Sequence, residues 1–400
     1  MPEVVDKDTT LIVKGKVRVV DGKATVFGCP VREISSDFYF PLYIEEGRVE
    51  VDGTFIPVKG STVPGSWVGL SEKVKDVSSV FLIGETDSGK SSLAVWLINT
   101  FEGEVCVVDA DVGQADVAHP GAMGIGVAGK VPFLRDVKML DGFFAGTISP
   151  MGREAKCIRG FASLCKKAEN LKKELTVVDT TGWVKGKRAR DYKLAKLEIF
   201  NPDIVVFTSS ELLKLYEEDV SAECISVDSF VPKKRNKEMR LEIRSKIYKK
   251  WLEPSASYVV DRHRLKGTTL FRGEEMKDRD LLSALSVFGD VIFAETGCGF
   301  LNVCVEKAEV NSEAVRAVKD IFGVDEVNVF EPEWFENLIC GIYSLESSKE
   351  KYICPGLVES VDFEEKKIFF RAKEMESTGV VVELGEFKLV NGREEFVRIP

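Results

Sequence analysis

Nine consecutive residues carry the clearest chemistry in this chain: Gly84, Glu85, Thr86, Asp87, Ser88, Gly89, Lys90, Ser91 and Ser92. Their spacing fits G-x-x-x-x-G-K-[ST], a loop that cradles the phosphates of a nucleoside triphosphate. Gly84 and Gly89 let the backbone curl so that its N–H groups point inward at phosphate oxygens. The helix that follows adds the positive end of its dipole. Lys90 is placed to reach the β- and γ-phosphates, and Ser91 to offer its hydroxyl to Mg²⁺.

Two acidic clusters follow apolar runs. Asp109 and Asp111 stand two residues apart after Val105–Val108, with Gln114 just beyond. If the strand continues that far, alternation makes the two carboxylates share a direction. One can accept a proton from an attacking hydroxyl while the other holds Mg²⁺. Asp179 ends the run Leu175–Val178 and is a rival carboxylate for the metal. Asp179 and Gly182 also have the spacing of a GTPase phosphate-sensing turn. A guanine-reading Asn-Lys-x-Asp is missing, however, because Asn236 and Lys237 are followed by Glu238 and Met239. Trp183 either stacks on a base or packs beneath its own loop.

Basic residues gather in two places. Residues 185–196 hold six Lys or Arg against one Asp, and residues 233–250 hold nine against two Glu. Lys233, Lys237, Arg240 and Arg244 line one face of a helix, beside an apolar stripe of Met239, Ile243, Ile247 and Trp251. Such a helix can close over a triphosphate or an RNA backbone.

Positioning these groups takes a strand before and a helix after the phosphate loop. Ser79–Ile83 is rich in strand formers, and Ser92–Ile98 reads as a helix. The runs at 105–108, 175–178 and 204–207 are short, apolar and separated by helical stretches, which predicts a parallel sheet covered on both faces. Residues 1–72 read as all-β, with hairpins expected at Asp21–Gly22 and again near Asp52–Gly53. From residue 256 the chain turns β-rich again, at 290–294, 300–305 and 367–370. The expected architecture is an α/β P-loop NTPase domain over 73–255, flanked by β-rich domains at 1–72 and 256–400.

Composition narrows the class. The chain has 400 residues, 44% hydrophobic and 30% charged, with a net charge of −10. That is a globular balance, and no apolar run is long enough to span a bilayer. The charged N-terminus lacks an apolar signal core, so a cytoplasmic protein is expected. Nine scattered cysteines without a Cys-x-x-Cys pair, and only two histidines, argue against a disulfide framework or a zinc site.

These clusters, in this order, resemble the polynucleotide 5′-hydroxyl-kinase family. It includes the kinase subunit of the pre-mRNA cleavage factor, the nucleolar rRNA-processing kinase and archaeal relatives. The resemblance rests on Thr86, Asp87, Gly89, Lys90 and Ser91, on Asp109, Asp111, Gly113 and Gln114, on Pro120 and Gly121, on Thr180, Gly182, Trp183, Val184, Lys185 and Gly186, and on Arg235 and Arg240. It implies transfer of the γ-phosphate of ATP, with Mg²⁺, to a 5′-hydroxyl end of RNA or DNA. RNA-processing proteins are the implied partners. Lys90 and Ser91 would bind ATP and Mg²⁺, and Asp111 would activate the hydroxyl with Gln114 close by. Thr180, Gly182 and Trp183 would form a substrate clasp, and Arg235 and Arg240 a lid. Two rival readings fit the same residues: an ATP-loaded scaffold without turnover, and a nucleotide-dependent switch ATPase or GTPase.

Overall fold

The computed structural model describes residues 3–229, 236–346, 349–375 and 379–400. The chain forms two compact units. One comprises residues 1–118, 123–143 and 150–236, and the other residues 119–122, 144–149 and 237–400.

The first unit opens with three strands, β1 (Glu3–Val26), β2 (Cys29–Pro30) and β3 (Glu33–Lys59), in the order β2-β1-β3. Leu11, Val13, Val17, Phe40, Leu42, Val49 and Val51 are buried between them. The expected hairpin at Asp21–Gly22 is absent. Gly22 pairs with Gly47 inside a continuous antiparallel ladder, and Gly53 likewise pairs with Gly15. The chain reverses instead at Phe27–Gly28. The reason is steric. A Cβ on Gly22 would lie 2.0 Å from the Glu46 carbonyl oxygen, and one on Gly53 would lie 2.1 Å from that of Lys14. These glycines let two long strands cross closely and coil, so they serve bending rather than turning.

After α1 (Gly65–Val74) comes a seven-stranded sheet. Its strands are β4 (Ser79–Ile83), β5 (Val105–Ala110), β6 (Ala122–Ala128), β7 (Met139–Phe144), β8 (Leu175–Thr180), β9 (Ile204–Phe207) and β10 (Glu223–Ser226). They lie in the order β10-β9-β4-β8-β5-β6-β7. The first five run parallel, and β6 runs antiparallel to β5. The four apolar runs expected to be strands are thus four neighbours, and their residues are buried on both faces. Helices α2 (Lys90–Thr100), α3 (Glu154–Leu171), α4 (Lys187–Phe200) and α5 (Ser210–Tyr216) complete this unit. Phosphate loop and acidic clusters all leave from the carboxyl ends of β4, β5 and β8, where open parallel sheets bind ligands.

After residues 119–122 and 144–149, the second unit continues with α6 (Lys237–Leu252), β11 (Ser255–Asp261) and β12 (Leu265–Lys266). Next come β13 (Glu274–Glu275), α7 (Arg279–Leu285), β14 (Val291–Gly297), β15 (Phe300–Val305), α8 (Ser312–Phe322) and β16 (Glu326–Phe330). The strands among these last six elements form a sheet in sequence order, with α7 and α8 contributing to its core. The larger sheet is completed by β17 (Leu338–Glu346), β18 (Lys349–Asp362), β19 (Lys367–Lys373), β20 (Val380–Val390) and β21 (Arg393–Phe396). Its order is β11-β19-β18-β17-β20-β12, with β21 paired to β20.

Helix α6 departs from the expected cationic face. Lys233 lies outside the described residues. Arg244 donates from Nε and Nη2 to both oxygens of Glu394 on β21, at 2.5 and 3.0 Å. That side chain is only 13% exposed, so its charge holds the helix in place rather than facing a ligand. The one buried residue of α6 is Tyr248, and the expected stripe residues beside it are half-buried.

Candidate active site

The phosphate loop is shaped by its glycines and by one left-handed aspartate. Gly89 has φ +87° and Asp87 φ +57°, and the Ser88 N–H closes a turn on the Glu85 carbonyl at 3.3 Å. Gly84 has no room for a side chain, because a Cβ would lie 2.2 Å from Thr208 Oγ1 and 2.5 Å from Ser88 Oγ. No acidic residue sits in the first turn of α2, so the positive end of that helix is left uncompensated. Lys90 is 6% exposed, and its ammonium donates to the Glu85 carbonyl at 2.8 Å.

Three carboxylates meet at the strand ends. Asp109 and Asp179 are opposite each other in the parallel ladder of β5 and β8, and both are buried. Ser91 Oγ donates to Asp179 Oδ2 at 2.6 Å. Asp179 Oδ1 is buried and has no hydrogen-bond partner among the described residues, and the same is true of Ser88 Oγ. Burial raises the Asp179 pKa, while the Lys90 charge and the Ser91 hydrogen bond pull it back. Asp109 behaves differently. Its Oδ1 accepts the Asp111 N–H at 3.1 Å, and its Oδ2 accepts those of Asp116 and Val117 at 2.7 and 2.9 Å. Burial, then the Asp179 and Asp116 charges, push the Asp109 carboxyl well above the usual range.

Strand alternation does not govern Asp111, because β5 stops at Ala110. Asp111 instead caps the next turn: its Oδ1 accepts the N–H groups of Gly113 at 2.9 Å and Gln114 at 3.2 Å. Its Oδ2 takes no hydrogen bond among the described residues. The half-buried carboxylate lies close enough to Asp179 to raise that group's pKa, so Lys90, Asp111 and Asp179 form one charge cluster.

Against this geometry, a family model described as mRNA cleavage and polyadenylation factor CLP1 P-loop matches residues 84–253. The chain is also similar to the polyribonucleotide 5′-hydroxyl-kinase of Pyrococcus abyssi, at 26% identity over 74% of this chain and 83% of the relative. The enzyme of that name from Thermococcus kodakarensis is 26% identical over 83% of this chain and 95% of the relative. Among solved structures, a chain of the wild-type Clp1p–Pcf11p complex superposes with a TM-score of 0.65, at 12% identity and 97% coverage of both chains. That last likeness concerns the fold.

Within the matched residues 84–253, the loop after β8 packs against the phosphate loop. A Cβ on Gly182 would lie 2.3 Å from Thr86 Oγ1 and 2.4 Å from the Thr86 backbone nitrogen. Glycine at 182 is therefore a condition for the two loops to touch. The Thr180 hydroxyl is engaged on both sides: it donates to the Leu82 carbonyl and accepts from Lys193, each at 2.7 Å. Trp183 is half-buried, with its ring 5.7 Å from that of Tyr192. Lys185 pairs with Glu85 of the phosphate loop at 3.1 Å.

The remaining expected residues divide between the units. Arg235 lies outside the described residues, and Arg240 is on α6 of the second unit. In the basic stretch 185–196, Lys193 and Lys196 are fully buried, so they do not belong to a surface that meets a nucleic acid. The signal was legible in outline. Ala189, Tyr192, Lys193, Lys196 and Leu197 follow helical spacing, and both lysines fall on the apolar face.

Proposed function

We propose that this protein transfers the γ-phosphoryl group of ATP to the 5′-hydroxyl of a polynucleotide, with RNA as the acceptor. The reading is supported most by the Ser91–Asp179 pair with Asp111 beside it, on a chain whose relatives bear the name polyribonucleotide 5′-hydroxyl-kinase. The donor set suits a small hard cation. Ser91 Oγ, Asp179 and phosphate oxygens would hold Mg²⁺, which supplies charge neutralisation at the transferring group. Among the described residues no group of three or more His, Cys, Asp or Glu offers an all-protein cage, and Mg²⁺ seldom uses one. Asp109 is given a structural part, because its oxygens are directed to the N–H groups of its own loop.

The residues then act in order. Gly84 to Ser92 wrap the phosphates, and Lys90 exchanges the Glu85 carbonyl for phosphate oxygens. Asp111 is oriented through Oδ1 by the Gly113 and Gln114 N–H groups, which leaves Oδ2 to take the proton of the attacking hydroxyl. The half-exposed face of Trp183 offers the terminal base a stacking surface. Positioning and charge carry most of the rate.

The test is transfer of labelled γ-phosphate to 5′-hydroxyl ribo- and deoxyribo-oligonucleotides. Wild type should label ribo-oligonucleotides at their 5′ ends, and Lys90→Ala should not. Equal labelling by both, or hydrolysis of ATP that ignores the acceptor, would remove the assignment.

A further inference from the structure

Lys193 and Lys196 lie one turn apart on the buried face of α4, and neither is exposed to solvent. Two adjacent ammonium groups out of water are costly, and apolar side chains would pack the helix at lower cost. Their contacts indicate what offsets this. Lys193 Nζ donates to Thr180 Oγ1 at 2.7 Å and to the Thr181 carbonyl at 2.6 Å. Through the Thr180 hydroxyl the bond passes on to the Leu82 carbonyl, two residues before Gly84. Lys196 Nζ donates to the Ala110 carbonyl at 3.4 Å, immediately before Asp111. It also lies 4.9 Å from the centre of the Phe161 ring and 4.6 Å from that of Tyr192.

One helix thus ties together the ends of β4, β8 and β5. Those are the strands that launch the phosphate loop, the Thr180–Trp183 loop and the Asp111 turn. Burial lowers the pKa of both lysines, that of Lys196 to about 8, while the Asp111 charge pulls both back up.

We propose that Lys193 and Lys196 are positioning residues for phosphoryl transfer, Lys193 setting the Thr180–Trp183 loop and Lys196 setting the strand end that carries Asp111. The proposal rests on the kinase reading above.

Lys193→Met and Lys196→Met keep the length of the side chain and remove the ammonium. Lys196→Met should lower kcat at least about tenfold, since small misplacements of reacting groups cost that much or more. The KM for ATP should stay within about twofold, so the loss appears in kcat alone. Lys193→Met should raise the KM for a 5′-hydroxyl oligonucleotide about fivefold or more, with the KM for ATP unmoved. Amide exchange should accelerate at least about tenfold over 110–117 in Lys196→Met and over 180–186 in Lys193→Met, with β4 unaffected. Unchanged loop exchange overturns the proposal. So do kinetic losses that merely track a lower Tm, without the split between kcat and KM.

If a Met variant fails to fold, Lys196→Arg carries the test. It keeps the charge but not the bond geometry, so residues 110–117 should still lose protection, and unchanged exchange there overturns the proposal. A wild type that transfers no phosphate would remove the kinase reading. The exchange measurements would then still decide whether these lysines anchor the loops.

Discussion

Gly182→Ala tests the contact between the two loops most directly. The added methyl would lie 2.3 Å from Thr86 Oγ1, 2.4 Å from the Thr86 nitrogen and 2.6 Å from its Cα. Ordinary contact begins at 3.4 Å, so the nearest backbone atom must retreat by about 1 Å. A rotamer change can remove Oγ1, but two of the three clashes are with backbone and have no such escape. The phosphate loop is held on its other side by Gly84, which is wedged against Thr208, so the displacement falls on phosphate-binding N–H groups. A misplacement of about 1 Å costs roughly 10²-fold in rate, or about 2.7 kcal/mol at the transition state. The overpacking itself should cost about 1–3 kcal/mol of stability. Measured kcat/KM for transfer to a 5′-hydroxyl ribo-oligonucleotide should fall about 100-fold, and ATP binding should weaken with it. A variant within about threefold of wild type would refute the claim that Gly182 is required for loop contact.

Three further outcomes are expected. Asp111→Asn keeps the oxygen that caps Gly113 and Gln114 but loses the proton acceptor. Its kcat should fall about 10²–10⁴-fold with ATP affinity unchanged, and matched losses in both would make Asp111 a structural residue. Arg244→Met strands the Glu394 carboxylate, whose side chain is 2% exposed, and should cost about 3 kcal/mol in urea unfolding; a loss below about 1 kcal/mol would mean the pair is solvent-screened. His119 is buried in the second unit, with its ring nitrogens bonded to the Pro120 carbonyl and the Tyr352 hydroxyl. Burial lowers its pKa to about 4, below the ordinary 6.5. The fold therefore favours the neutral ring, and the stability it contributes is complete above pH 6.5 and lost as pH falls toward 4. That loss should reach about 3 kcal/mol, and His119→Gln should abolish this part of the pH dependence; an unaltered slope in the variant would exclude His119 as its source.

Much of this molecule is written in local pattern. Gly84, Gly89, Lys90 and Ser91 define a loop by backbone freedom and charge, and both properties are local. The apolar runs at 79–83, 105–108, 175–178 and 204–207 are continuous because a central parallel strand is buried on both faces, so their length and composition reveal them. Other features depend on what lies across space. Asp21–Gly22 has the composition of a turn, yet a facing glycine at 47 makes it a bend within a ladder. Asp109 and Asp111 look alike in sequence. One ends a strand and gathers loop N–H groups, while the other caps a turn beyond it, and only the stopping point of β5 separates them.

The sequence by itself determined the fold class, the phosphate loop and the carboxylates that follow it, because spacing along a chain dictates local backbone and the face each side chain takes. Tertiary structure alone decided that Arg244 pairs with Glu394, that Gly182 must admit Thr86, and which carbonyls and hydroxyl Lys193 and Lys196 meet. A cation's role depends on which partner displaces its water, and that partner is usually distant in sequence.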